Sequence, residues 1–463
     1  MSAGIDVYGT ALHVTSIKGD ESMVRLLVEM GASVDAVGGY FGTALQAASK
    51  SGDESMVRLL IELGADVNVH GGRYGTALMA AVSSHWESGQ WIPSEHAPVV
   101  RTLLEKGADP NAQAGAALKT TSADGKLTLV ELLVEGGADV NLAGGETALH
   151  AAAYNGRTDV AEFLIEKGAD AQGFGAAFQA AVAQGHEQMV ELLIEKGVDA
   201  QEFGPALRVA SAKESDSMVK LLIERGADAN SQGRPYGTAL QAASATGSEP
   251  IVLTLLEHGA NINAQGGRFG TALHAASEMG HEEVVRLLIE KGAQVDLQVG
   301  NHGTALQNAC ARKHEAIVRL LVEMGANVNA SGGRFGSALE AASDGGYESI
   351  VRFLVEKGAD VDPQGKHFEL ALNATSAKGH KEVVHTLMEA SARLFSPNQV
   401  AGASPGAAGG GGAQADLVDV ALDHERVRRY EGDEEEDGRD EVAGVHGLLT
   451  VRLEAAVTEV WGG

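Results

Sequence analysis

Residues Gly266 to Ala293 read GGRFGTALHAASEMGHEEVVRLLIEKGA, and their pattern decides the fold. Two short helical segments flank a turn. Thr271 stands where a hydroxyl can cap the first helix, and the small residues Ala272, Ala275 and Ala276 let a neighbour approach closely. Gly280 interrupts the pattern. Beyond it Val284, Val285, Leu287, Leu288 and Ile289 form a wide apolar stripe at helical spacing. Gly292 follows, where a helix end calls for a left-handed residue. A helix pair of this size cannot bury its own apolar face, so copies must stack on it.

The copies are present. With the Ala of Thr-Ala-Leu as anchor, matching residues fall at Ala11, Ala44, Ala77, Ala117, Ala148, Ala177, Ala206, Ala239, Ala272, Ala305, Ala338 and Ala371. Seven of the spacings are 33 residues; the others are 40, 31, 29 and 29, all between Ala77 and Ala206. The long one is an insertion within 84–98, carrying Trp86 and Trp91, and it lengthens the turn between two helices. The short ones trim the connection between units, not the helices. Unit four also carries Thr120 and Thr121 in place of the Ala pair, a poorer fit for close helix contact.

A period of 33 residues holding two helices and a turn resembles the ankyrin-repeat family across residues 1–395. The family's TPLH stretch appears as Thr147-Ala148-Leu149-His150 and Thr271-Ala272-Leu273-His274, with Ala replacing Pro. Its GADVN stretch appears at Gly64–Asn68 and Gly137–Asn141. The hairpin tip departs systematically, becoming Gly-Gly-x-aromatic-Gly, as at Gly71–Gly75. That variant resembles ankyrin arrays of filamentous fungi, often carried by large NTPase sensors. The resemblance implies an all-α solenoid of about twelve helix-turn-helix units joined by short hairpin loops.

Past the array, residues 396–415 turn to Gly, Ala, Ser and Pro and read as a flexible linker. Residues 416–463 form an acidic tail, expected to be mostly disordered. The chain carries a net charge of −28, a field that repels phosphates, so nucleic acid is excluded as a partner and basic protein surfaces are favoured. No apolar stretch approaches membrane-spanning length, and no basic start is followed by an apolar run. A cytoplasmic protein is expected, with the nucleus also open to it.

Sites of chemistry are weakly represented. Gly402–Gly406 matches the nucleophile-elbow pattern but lies in the linker, without the strand and helix that motif needs. His186-Glu187, His281-Glu282 and His314-Glu315 lack the second His of a zinc-protease helix and recur at the start of second helices, a structural position. His13, His150 and His274 share the TPLH-like place, where hydrogen bonding between units is the expected role. Cys310, the single cysteine, replaces a small Ser and reads as a packed residue. No cofactor, metal or catalytic residue is expected.

The aromatic three residues before the anchor occurs in nine of twelve units, including Tyr8, Phe41, Tyr74, Phe269 and Phe335, and reads as packing at the hairpin base. The tip residues vary instead. Ankyrin arrays are expected to line a concave groove with such tips and with first helices. The resemblance therefore implies a monomeric scaffold that binds a partner protein, with the tip residues Tyr40, Arg73, Arg234, Arg268, Arg334 and His367 as contact residues. Trp86 and Trp91, a residue type enriched where proteins bind one another, read either as a second contact apart from the groove or as a cover packed on the neighbouring units. The alternative is a ligand-sensing arm of a larger fungal NACHT or NLR-like NTPase.

Overall fold

The computed structural model describes residues 9–83, 85–87, 90–92, 96–142, 146–362 and 365–394. The linker, the tail with Trp461, the elbow-like Gly402–Gly406 and Tyr8 lie outside the described residues. The chain divides into two compact units, Met1–Leu387 and Met388–Gly463. The second is described only over 388–394, the end of the last helix.

Among the described residues, twenty-four α-helices follow one another as twelve pairs. Eight of the anchor alanines are the first residue of their helix: α1 (Ala11–Ile17), α3 (Ala44–Ser51), α5 (Ala77–Val82), α9 (Ala148–Tyr154), α15 (Ala239–Thr246), α17 (Ala272–Met279), α19 (Ala305–Ala311) and α21 (Ala338–Asp344). The cause is the preceding hydroxyl. Thr271 Oγ1 accepts from the His274 amide, and Thr43, Thr76, Thr147, Thr238, Thr304 and Ser337 do the same in their units. Gly292 closes the second helix at φ 96°, as its position requires.

Eleven of the second helices are nine residues long, among them α18 (Glu282–Glu290), and each ends on Glu. Their apolar stripes form the core: Val284, Val285 and Leu288 are buried, and each such side chain contributes about 1.5–3 kcal/mol. The first helices meet through Ala242, Ala243, Ala275, Ala276 and Ala309, all fully buried. In unit four Thr121 takes an Ala place and is fully buried as well. Its hydroxyl donates to Ala117 O and Leu118 O of its own helix, which removes the polar cost of the substitution.

Trimming the connections changes their structure. At Ala177 and Ala206 the helix starts upstream of the anchor, in α11 (Ala171–Gln184) and α13 (Phe203–Ala212); α23 (Lys366–Ala377) also starts upstream of Ala371, although its connection keeps the 33-residue spacing. Asp170 caps the first start through the amide of Gly173, and Asp199, through the amide of Gln201, caps a single 3-10 turn (Ala200–Glu202) that leads into α13, so residues that form hairpin elsewhere become helical. In unit four, Gln113, Ala114 and Gly115 are all left-handed and make the turn into the helix.

The insertion holds the only β-strands among the described residues. Strand β1 (His85–Glu87) pairs antiparallel with β2 (Gln90–Ile92), with Trp86 opposite Trp91. The sequence predicts only a longer turn there. Helix α5 stops at Val82 without a glycine, and the ammonium groups of Lys50 and Lys126, from the flanking units, donate to Ser83 O and Val82 O at its end. Burial, and then the charge of Lys126, brings the Lys50 ammonium down to about 8.

Candidate interaction surface

The hairpins are tied to one another before they can contact anything else. Gly38, Gly71, Gly233, Gly266 and Gly332 each bridge to the glycine four residues on. The residue between the two then bonds to the preceding tip: Arg73 N–H donates to Tyr40 O, Arg268 N–H to Pro235 O and Arg334 N–H to Asn301 O, all at 2.9 Å. Gly267 sits at φ 61°, and a Cβ there would lie 2.2 Å from Tyr236 O, so the second glycine of the motif is a consequence of this close approach. Behind the tips the aromatics stack: Phe41 on Tyr74 and Tyr236 on Phe269, each pair with centroids 6.5 Å apart. Phe269 is buried, which agrees with a packing role.

A single side chain joins cap and stack. Gln241 Oε1 accepts from Thr238 N (2.6 Å), while its Nε2 donates to Gly270 O (2.6 Å), Ala264 O and Gly266 O of the next unit. Gln46 and Gln307 repeat the arrangement. His13 and His274 replace Gln and reach the same carbonyl, Gly42 O at 2.8 Å and Gly303 O at 2.9 Å, with Nδ1 on the capping Thr. The expected hydrogen bond between units holds for these two histidines. His150 differs: its Nδ1 makes no hydrogen bond to the capping Thr147 and lies 3.7 Å from Glu146 Oε2.

A second ladder runs along the ends of the second helices. Asn68, Asn111, Asn141, Asn230 and Asn329 each donate Nδ2–H to the carbonyl of a glycine or its counterpart in the next unit, or accept an amide two residues beyond it, or both. Gln201 occupies this position in unit six and makes no such pair. The His-Glu dipeptides also link units. His281 Nε2 pairs with Ala245 O and His314 Nε2 with Glu278 O, both at 3.0 Å, covering the glycine that ends the preceding unit's first helix.

The proposed contact residues have different surroundings. Arg73 lies over the Tyr40 ring at 5.4 Å and donates to its hydroxyl, so these two form one exposed group with Tyr74. Burial, followed by Tyr40, pushes the Tyr74 phenol up to about 12. Arg268 rests over Phe269 at 5.3 Å and Arg334 over Phe335 at 4.4 Å. Arg334 also reaches 3.6 Å from the buried Glu278, whose carboxylate pairs with Arg312. His367 Nδ1 meets Glu340 Oε1 at 2.6 Å and is half-buried. The side chains of Trp86 and Trp91 lie outside the described residues.

Arg234 differs in register. Unit eight reads Gly233-Arg234-Pro235-Tyr236-Gly237, which places Arg234 at the second-glycine position and Pro235 at the variable tip, joined by a cis bond. Arg234 and Arg268 line one cleft, whereas Arg334 leans toward Glu278. Sequence reasoning missed Glu278. Its signal was present: an acid where units eight and ten carry Ala245 and Ala311, with Arg312 34 residues on.

No helix of the described residues is long and apolar enough to cross a membrane. Among those residues no group of three or more His, Cys, Asp or Glu could hold a metal ion. Cys310 is fully buried, and burial pushes its thiol well above the ordinary value. A smaller cavity of about 240 Å³, lined by Arg319, Glu348, Ser349 and Arg352, is satisfied internally: Arg319 pairs with Glu315, and Arg352 with Glu348.

A family model described as ankyrin repeats (3 copies) matches residues 12–114, 116–203, 207–299 and 297–365. Among curated proteins, the Notch-regulated ankyrin repeat-containing protein of Xenopus tropicalis is 51% identical over 53 residues, 11% of this chain and 46% of that protein. The Homo sapiens protein of that name is 49% identical over 53 residues, again 46% of its length. The Danio rerio A form is 46% identical over 59 residues, 12% of this chain and 53% of that protein. The chain thus spans about half the length of the curated relatives it matches.

Proposed function

Since the chain belongs to the ankyrin-repeat family, we propose that it works as a scaffold that binds a partner protein through its hairpin tips and the groove beside the first helices. The observation that carries this reading is the tip ladder. Arg73, Arg268 and Arg334 are fixed at the backbone by the preceding hairpin, yet all three are exposed at the side chain. Varied side chains on a rigid, repeated frame are the arrangement that recognition favours, because little ordering entropy is lost on binding.

The main surface in this reading is the run of intact hairpins in units eight to eleven, with Arg234, Arg268 and Arg334. Tyr40, Arg73 and His367 extend it, and the strand pair with Trp86 and Trp91 offers a separate contact away from the tips. The array over residues 1–395 is the binding body, with the linker and acidic tail as appendages. It acts as a monomer in the cytoplasm or nucleus, without catalysis. Affinity purification from cell extract with mass spectrometry, followed by titration of the recovered partner, tests this. Replacing Arg234, Arg268 and Arg334 together by Ala should weaken binding at least tenfold; unchanged affinity would mean this surface is the wrong one.

A further inference from the structure

The cleft between the tips of units eight and nine goes further than the general reading. It measures about 580 Å³, inside the range of roughly 300–1,000 Å³ typical of ligand sites, and is lined by Gln232, Arg234, Pro235, Gly267 and Arg268. Gly267 lies in its wall, at a place where the Tyr236 carbonyl leaves no room for a side chain. Both arginines are exposed, and neither makes an ion pair with any described residue.

Eight other arginines of the described residues are neutralised by a carboxylate. Arg58, Arg286, Arg319 and Arg352 each pair with a glutamate one helical turn earlier, and Arg312 and Arg334 share Glu278. Two unpaired guanidiniums at one cleft, on a chain of net charge −28, mark a local reversal of sign. The Arg268 guanidinium lies over Phe269, 5.3 Å from the ring centroid, and is exposed, so its N–H donors can meet a planar acceptor. A carboxylate is such an acceptor.

We propose, building on the protein-binding reading above, that this cleft receives the carboxylates of a short, extended acidic segment of the partner, one gripped by Arg234 and one by Arg268. The surrounding negative field penalises a dianion more than a monoanion, which favours carboxylate over phosphate. It also requires the acidic segment to be short, set in a partner surface that is otherwise neutral or basic.

The test is fluorescence polarisation of the full chain with a fluorescein-labelled hexapeptide of alternating Asp and Ala, beside Asn–Ala and phosphoserine–Ala versions. The Asp peptide should bind saturably and at least tenfold more tightly than the Asn peptide. Replacing both residues (R234Q and R268Q together) should remove that preference, while R101Q, at an exposed second-helix arginine away from the tips, keeps it. Equal binding of Asp and Asn peptides, undiminished binding to the double variant, or tenfold preference for phosphoserine would each overturn the assignment. A purified partner that binds the double variant as well as the parent refutes the cleft alone. An Asp peptide that binds this cleft when no partner protein can be recovered refutes the scaffold reading and leaves the cleft standing.

Discussion

Replacing Gln241 tests the joint between helix cap and stack most directly. Its amide holds Thr238 N on one side and, with two protons, at most two of three nearby carbonyls on the other. The residue is buried, so water does not simply replace it. Gln241→Ala removes three hydrogen bonds at about 1 kcal/mol each, a loss of about 3 kcal/mol. Gln241→His keeps two of the three, as His13 does with Thr10 N and Gly42 O, and should cost about 1 kcal/mol at neutral or higher pH. Urea unfolding followed by circular dichroism reads both values, and hydrogen exchange at Gly270 reports whether the damage is local. A loss below about 0.5 kcal/mol for the alanine variant, or equal losses for Ala and His, would refute the reasoning.

Three further outcomes follow from the same contacts. Burial holds the His274 imidazole below its ordinary value, so the folded chain binds fewer protons there than the unfolded one; its contribution is complete above about pH 6.5 and is lost as pH falls below it. His274→Gln should therefore flatten the decline in urea midpoint between about pH 7 and pH 5, and an unchanged decline would rule this residue out. Hydrogen exchange should show least protection around Gly197–Ala229, where the tip ladder and the Asn ladder are both interrupted at Gln201; uniform protection across the array would contradict a weak seam. Competitive acetylation of Lys50 should rise with a midpoint near 8, and a midpoint above about 10 would mean that burial does not govern its ammonium.

Much of the architecture was legible because the repeat states it many times. The anchor alanines mark helix starts wherever a hydroxyl precedes them, and the period exposes the insertion and the trimmed connections. What the trimmed connections become was not legible: the propensity of Asp170–Gly175 gives no sign of helix, which forms there because Asp170 caps it and no hairpin competes. The strand pair at Trp86 and Trp91 was hidden for a related reason, since six residues are too few for an alternating pattern to stand out. At the surface, the tip arginines were visible but their partners were not. Arg334 and Arg268 look alike in sequence, and only the fold brings Glu278 to one and not the other. The register shift of Arg234 could be read from Pro235, yet the shared cleft depends on how two hairpins approach.

The glutamine clamp also imposes an order of events during synthesis. The carbonyl that Gln46 needs, Gly75 O, is made 29 residues later, and the same interval separates Gln241 from Gly270 and Gln307 from Gly336. At a synthesis rate of about 5–20 residues per second, each unit waits roughly 1.5–6 seconds, with its amide donors unsatisfied, for the next to emerge. Every newly made unit is thus an incomplete edge until its successor arrives, and the growing chain completes itself one step behind the ribosome.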